Sequence, residues 1–140
     1  MDQAVKEAIY QAVKKEPFAQ AMNMELVALD LGYSVIEMTY DPATMNNIYD
    51  RAHGGAIYAL IDEAFETSCQ THGSVAVALN VNVTYVSSPE AGVRLQAEAK
   101  EVSLTKKTAG YDIKVKDQNG QMIATCQALA FRTGKPIPFL

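Results

Sequence analysis

Apolar residues recur along this chain with two different periods, and the change of period divides it into elements. Val5, Ala8, Ile9, Ala12 and Val13 fall at helical spacing over residues 2 to about 15, and Pro17 closes that pattern. "MELVALDLG" and "YSVIEMTYD" read as two strands joined around Gly32 as a hairpin. "PATMNNIYDR" is polar and turn-like. One long helix follows from Gly54 to about His72, apolar over most of its circumference, with Gly73 as its cap. Strict alternation returns in "SVAVALNVNVTYV", which puts Val75, Val77, Leu79, Val81, Val83 and Tyr85 on one face. "VRLQAEAKEV" alternates apolar with charged residues, so one of its faces meets water. "AGYDIKVKD" and "QMIATCQALAF" flank Asp117-Gln118-Asn119-Gly120, a hairpin turn containing Asn-Gly, and the tail "GKPIPFL" reads as loose. Six strands in a largely antiparallel order, with one long helix inserted after the second, predict an α+β layer structure. The helix requires a cover, and a curved sheet supplies it.

Composition narrows the class. At 140 residues the chain is one domain, residues 1–140, long enough to bury a core. The formal charge is −4 and no basic run stands out, which argues against nucleic acid as a partner. Cys69 and Cys126 lie in apolar surroundings without CxxC spacing, so neither a disulfide framework nor a zinc site follows. The two histidines, His53 and His72, are too far apart on the helix to share a metal, and no metal or other cofactor is expected. No segment has the apolar length of a membrane span or a signal peptide, so a cytoplasmic location is the default.

The chemistry concentrates in "RAHGGAIYALIDEA", residues 51 to 64. Two glycines at a helix start cost roughly 1 kcal/mol each against alanine, so something approaches the backbone there. The first N–H groups of a helix have no intrahelical partner and favour negative charge. Beside Gly54 and Gly55 a carbonyl oxygen could reach such groups, as a developing oxyanion requires. A tight, closely packed loop-to-helix turn is the other reading. Asp62 is a carboxylate in an apolar helical stretch, costly to bury unless paired or functional. Its plain alternative is a solvated polar stripe shared with Glu63 and Glu66. The HGG segment is similar to the oxyanion loop of the α/β-hydrolases, but there is no GxSxG elbow and no alternating βα pattern.

"MNNIYDRAHGGAIYALIDEA" resembles the corresponding motif of the hotdog-fold acyl-CoA thioesterases of the phenylacetate-degradation type, with Asn47, His53, Gly54, Gly55 and Asp62 at the family's spacing. "NVNVTYVSSPEAG" is similar to the family's third strand and its following loop, and "KKTAGYDIKVKDQNGQMIATCQALAFR" to its last hairpin. The resemblance runs from about residue 20 to 132. It implies an antiparallel six-stranded sheet wrapped around the long helix, paired into dimers and often into dimers of dimers. It further implies hydrolysis of an acyl-CoA thioester to a free acid and coenzyme A, without a metal. Carried over by position, the Gly54 N–H polarises the carbonyl, and Asp62 acts as nucleophile or as general base on water. His53 and Asn47 orient the substrate and the loop, and Gly55 lies against the substrate. The chain departs from the family at Asp50, where a glycine is usual before the histidine. It departs again at Glu66 and Ala78, where some members carry a hydroxyl; Asn80 is the substitute candidate for holding the water. A non-catalytic acyl-CoA-binding module of the same fold is the alternative function.

The acyl pocket is expected near Met45, Tyr49 and Tyr58, and coenzyme A phosphates near Lys106 and Lys107 in the turn between the fourth and fifth strands. Asp62 follows His53 by nine residues, which is about 13.5 Å along a helix and roughly half a turn around it. A carbonyl held at Gly54 is therefore out of reach of the same chain's Asp62. A two-fold partner with an antiparallel helix alongside removes the conflict, which predicts a dimer with two shared sites.

Overall fold

The computed structural model describes residues 1–140. Helix α1 (Gln3–Val13) starts at Asp2, whose carboxylate accepts from the N–H groups of Ala4 and Val5, and it buries Val5, Ile9 and Val13. Pro17 does more than end that helix: as the first residue of a short helix α2 (Pro17–Ala21) it begins a second one. A proline ring is preorganised for the first helical position, where its missing N–H costs nothing.

Strands β1 (Glu25–Asp30) and β2 (Tyr33–Thr39) form the expected hairpin about Gly32, whose φ is +64°. The polar stretch after it holds one helical turn, α3 (Pro42–Met45), capped by Asp41, before the chain enters α4 (Gly54–Gln70). Gly73 takes φ +74° and returns its N–H to Gln70 O, closing α4. Strands β3 (Ser74–Tyr85), β4 (Arg94–Leu104), β5 (Thr108–Asp117) and β6 (Met122–Pro136) complete the sheet.

All pairings are antiparallel and the order is β1-β2-β4-β5-β6-β3. The sheet wraps α4 as the hotdog resemblance implies. Leu60, Ile61, Ala64 and Phe65 of the helix are buried together with Ile36, Met38, Leu95, Ile113 and Val115 of the sheet. Buried alanines at 97, 99, 128 and 130 keep the concave face shallow enough for the helix to approach closely. The Phe65 and Tyr111 rings meet edge to face, 5.4 Å between centroids.

One expectation gains detail and two change. The β5–β6 turn contains Asn119-Gly120, but only Gly120 has positive φ, and the Asp117 carboxylate accepts from the N–H groups of both Asn119 and Gln121. That is a three-residue loop closed by a left-handed glycine, the longer of the common hairpin connections. The tail is not loose up to Pro136, because β6 runs that far and Ile137 is buried with its N–H on Gly73 O. Most consequentially, only part of the alternating face of β3 packs on the chain's own core, with Val75, Val81 and Val83 partly buried against it. Only Ala76 of that strand is buried, while Val77, Leu79 and Tyr85 are about half exposed. A bulge between Ala78 and Asn80 breaks the alternation, and β3 lies at the sheet edge with one side unpaired.

Candidate active site

The approach to α4 is a closed loop. Asn46 and Ala52 form an isolated bridge, flanked by backbone hydrogen bonds from the Asn47 N–H to Arg51 O and from the His53 N–H to Met45 O. The Asn47 side-chain oxygen accepts from the N–H groups of Tyr49 (2.9 Å) and Arg51 (3.2 Å). Asn47 thus shapes the loop from inside. Asp50 carries φ +58°, the left-handed conformation required where the family uses glycine.

His53 caps the helix. Its Nδ1 accepts from the Gly55 N–H at 2.8 Å, which puts the proton of the neutral ring on the exposed Nε2. Gly55 is therefore committed to His53, and a Cβ at that position would stand 3.0 Å from the imidazole. The Gly54 N–H, by contrast, has no acceptor within the chain. It sits at the positive end of a 17-residue helix. Tyr85 covers Gly54 from the end of β3, its hydroxyl donating to Gly54 O at 3.0 Å. Neither glycine has positive φ, so close approach, rather than backbone freedom, explains both.

Every residue of α4 is buried except Gly54, Gly55, Tyr58, Asp62, Glu66 and Gln70. Apart from Gly55 these recur every fourth position, so the helix leaves one slowly turning stripe uncovered. Asp62 is half-buried in it, without a hydrogen bond, and burial raises its pKa above the ordinary carboxylate range. A carboxylate so desolvated is a stronger base than one in water. Tyr58 stands one turn before it, and burial together with the Asp62 charge raises the phenol's pKa.

Within one chain, Asp62 and Gly54 open into different cavities. Asp62 shares about 220 Å³ with Phe65, Glu66, Cys69 and Ala76–Ala78. Gly54 shares about 390 Å³ with Ala52, Ile57, Tyr85 and the segment Val86–Pro89. Eight residues separate the two along α4, which is about 12 Å of helix rise.

Other expected residues distribute between these two ends. Ala78 lines the Asp62 cavity; Asn80, beyond the bulge, is exposed on β3 and pairs with Leu129. Lys106 and Lys107 are exposed in the β4–β5 turn, with the Lys107 Nζ 5.7 Å from the centroid of the Phe131 ring. Phe131 pairs with Val77, so the lysines belong to the Asp62 end of β3, about 26 Å of strand from Tyr85 and Gly54. Met45 is buried in the core and Tyr49 is 77% exposed, so neither lines a cavity with Tyr58. Glu63 leaves the supposed polar stripe altogether. It is only 3% exposed, and burial followed by the charges of Glu16 and Glu66 pushes its pKa up to about 8. Glu66, three positions on, is its helical neighbour, whereas Glu16 comes from a distant part of the chain.

Known proteins share this fold. Residues 49–124 match the profile of the Thioesterase superfamily. The chain is 31% identical to the acyl-coenzyme A thioesterase PaaI of Escherichia coli over 119 residues, 85% of this chain and 84% of that one. The solved structure of the E. coli PaaI protein, from the phenylacetic acid degradation operon, superposes with a TM-score of 0.90 over 95% of this chain and 96% of that one, at 27% identity. A Streptococcus mutans protein solved bound to acetyl-CoA superposes with a TM-score of 0.77 at 27% identity, over 82% of this chain and 92% of that one.

Proposed function

The chain belongs to the thioesterase superfamily, and we propose that it hydrolyses acyl-CoA thioesters at two sites, each shared between two copies of the chain. The observation that carries this reading is the division of α4's uncovered stripe. A free N–H donor stands at one end and a desolvated carboxylate about 12 Å further on, each in its own cavity.

β3 supports the pairing of copies. It is a 12-residue edge strand with exposed Val77, Leu79 and Tyr85, and it contains no charged residue and no proline. Sheet edges that stay unpaired are normally protected by such residues. Antiparallel pairing of β3 with its two-fold copy would continue the sheet and run the two α4 helices side by side in opposite directions. The partner's Asp62 then comes opposite this chain's Gly54, and the lysines at that end of β3 travel with it. A second such association gives a dimer of dimers.

In each site the Gly54 N–H and the helix dipole stabilise the oxygen of the thioester carbonyl as it gains charge. His53 fixes the neighbouring Gly55 N–H, and Asn47 holds the loop, so the donor is preorganised. Asp62 either attacks the carbonyl carbon or removes a proton from the water that does. The tetrahedral intermediate expels the coenzyme A sulfur, which takes up a proton. Attack by water yields the acid directly, whereas attack by Asp62 leaves an acyl anhydride on Asp62 that a water then hydrolyses to release the acid. All of the required groups come from the chain.

The experiment is incubation with a panel of aromatic and medium-chain acyl-CoAs and a thiol-reactive dye. Release of free thiol in proportion to enzyme is the expected result. Binding of the same compounds without thiol release would make the protein a non-catalytic acyl-CoA module.

A further inference from the structure

We propose that Glu16, Glu63 and Glu66 form a binding site for one hard divalent cation, such as Ca²⁺, Mg²⁺ or Mn²⁺, joining the N-terminal helices to α4. One carboxylate oxygen from each residue lies within 4.8 Å of the others. A Ca²⁺ ion at 2.3–2.6 Å from every oxygen requires ligands no further apart than about twice that, roughly 4.6–5.2 Å, a condition the three oxygens meet; a smaller ion draws them closer.

A second observation turns this cluster into a site. Glu63 is 97% buried, and its Oε1 is the only buried side-chain polar atom in the chain without a hydrogen-bond partner. Buried polar atoms are almost always satisfied, and each exception calls for a partner. None of the three carboxylates forms an ion pair, although Lys15 lines the cavity beside them. A proton shared within the cluster would neutralise one charge and leave two. A divalent ion offsets two charges at once and gives Glu63 its missing contact.

The donor set is all oxygen, which selects hard cations over zinc or copper. The adjoining cavity of about 350 Å³, between α1, Glu66, Thr67 and Phe139, has room for the waters that would complete the coordination shell. The site is distinct from the proposed catalytic groups. Glu63 points into the fold, away from the stripe that carries Asp62, and of the three carboxylates only Glu66 borders both cavities.

The test uses the full chain in its native assembly, stripped with EDTA and titrated with MnCl₂ while the electron-paramagnetic signal of free Mn²⁺ is followed. The expected result is one Mn²⁺ bound per chain with a Kd on the order of 10⁻⁴–10⁻³ M or tighter, and displacement by CaCl₂. Glu16→Gln, at a partly exposed position, is expected to weaken binding by at least about ten-fold. Glu63→Gln should do the same, and Glu7→Gln, on the exposed face of α1, should leave it unchanged. A free Mn²⁺ signal undiminished by the wild-type protein up to millimolar concentration would overturn the proposal. Equal binding by wild type and Glu16→Gln would also overturn it. Because the readout is binding, neither result depends on whether thioesters are hydrolysed.

Discussion

Tyr85 closes over Gly54. Its hydroxyl donates to Gly54 O at 3.0 Å, and its ring stands 3.2 Å from where a Cβ at position 54 would be. The glycine that opens α4 is therefore matched to an aromatic residue 31 positions later, at the far end of β3.

This pairing makes Gly54→Ala informative. The added methyl must push the Tyr85 ring away or shift the N–H that faces the cavity. We expect a loss in kcat/KM approaching the roughly 10²–10³-fold scale of a removed oxyanion donor. The same substitution in a Tyr85→Ala background should cost less, because the methyl then has room. Equal costs in both backgrounds would show that the ring is not what the methyl meets.

Asp62→Asn keeps the side chain's shape and removes its basicity. Turnover should fall by several powers of ten while acyl-CoA binding persists, the loss exceeding the roughly 10²–10⁴ attributed to acid–base help alone. Retention of more than about a tenth of the rate would exclude Asp62 as nucleophile or base.

The shared site predicts complementation. His53→Ala and Asp62→Ala should each be folded, dimeric and nearly inactive. Co-expressed, they form mixed dimers in which one site carries both defects and the other neither. Random pairing makes half the dimers mixed, so activity should return to roughly a quarter of wild type. No recovery would place both residues in one chain's site.

The β3 edge predicts the assembly state. Leu79→Lys introduces on this strand the kind of charge that protects natural edges. Light scattering should show dissociation toward monomers, with activity lost in proportion. An intact, active oligomer would locate the interface elsewhere.

Lys106→Ala with Lys107→Ala tests coenzyme A recognition. KM should rise, and more at low ionic strength than at high, because exposed charges are screened over about 10 Å at 0.1 M salt. An unchanged KM at low salt would remove the pair from the site.

Local physics made most of the fold legible in the sequence. Helical spacing from Val5 to Val13, alternation in the strands and glycines at 32, 73 and 120 each report a conformation set by near neighbours in the chain. The motif from Asn47 to Asp62 was legible for the same reason, since a loop, a cap and a helix start are local structures. Asp50's left-handed turn followed from the family resemblance, which has glycine at that place. Tertiary structure decided which side of each pattern is covered. The alternation of β3 puts six residues on one face, but the strand's place at the sheet edge decides how much of that face is covered, because strand order is fixed by packing around α4 rather than by periodicity. Asp62 and Glu63 are adjacent and chemically alike, yet one faces a cavity and the other the interior. The 100° between neighbouring helical positions separates them, and only the elements packed around α4 determine what each side meets. Glu16 approaches Glu63 across 47 residues of chain, and Tyr85 approaches Gly54 across 31. No local pattern encodes such contacts; they exist only once the sheet has closed around the helix.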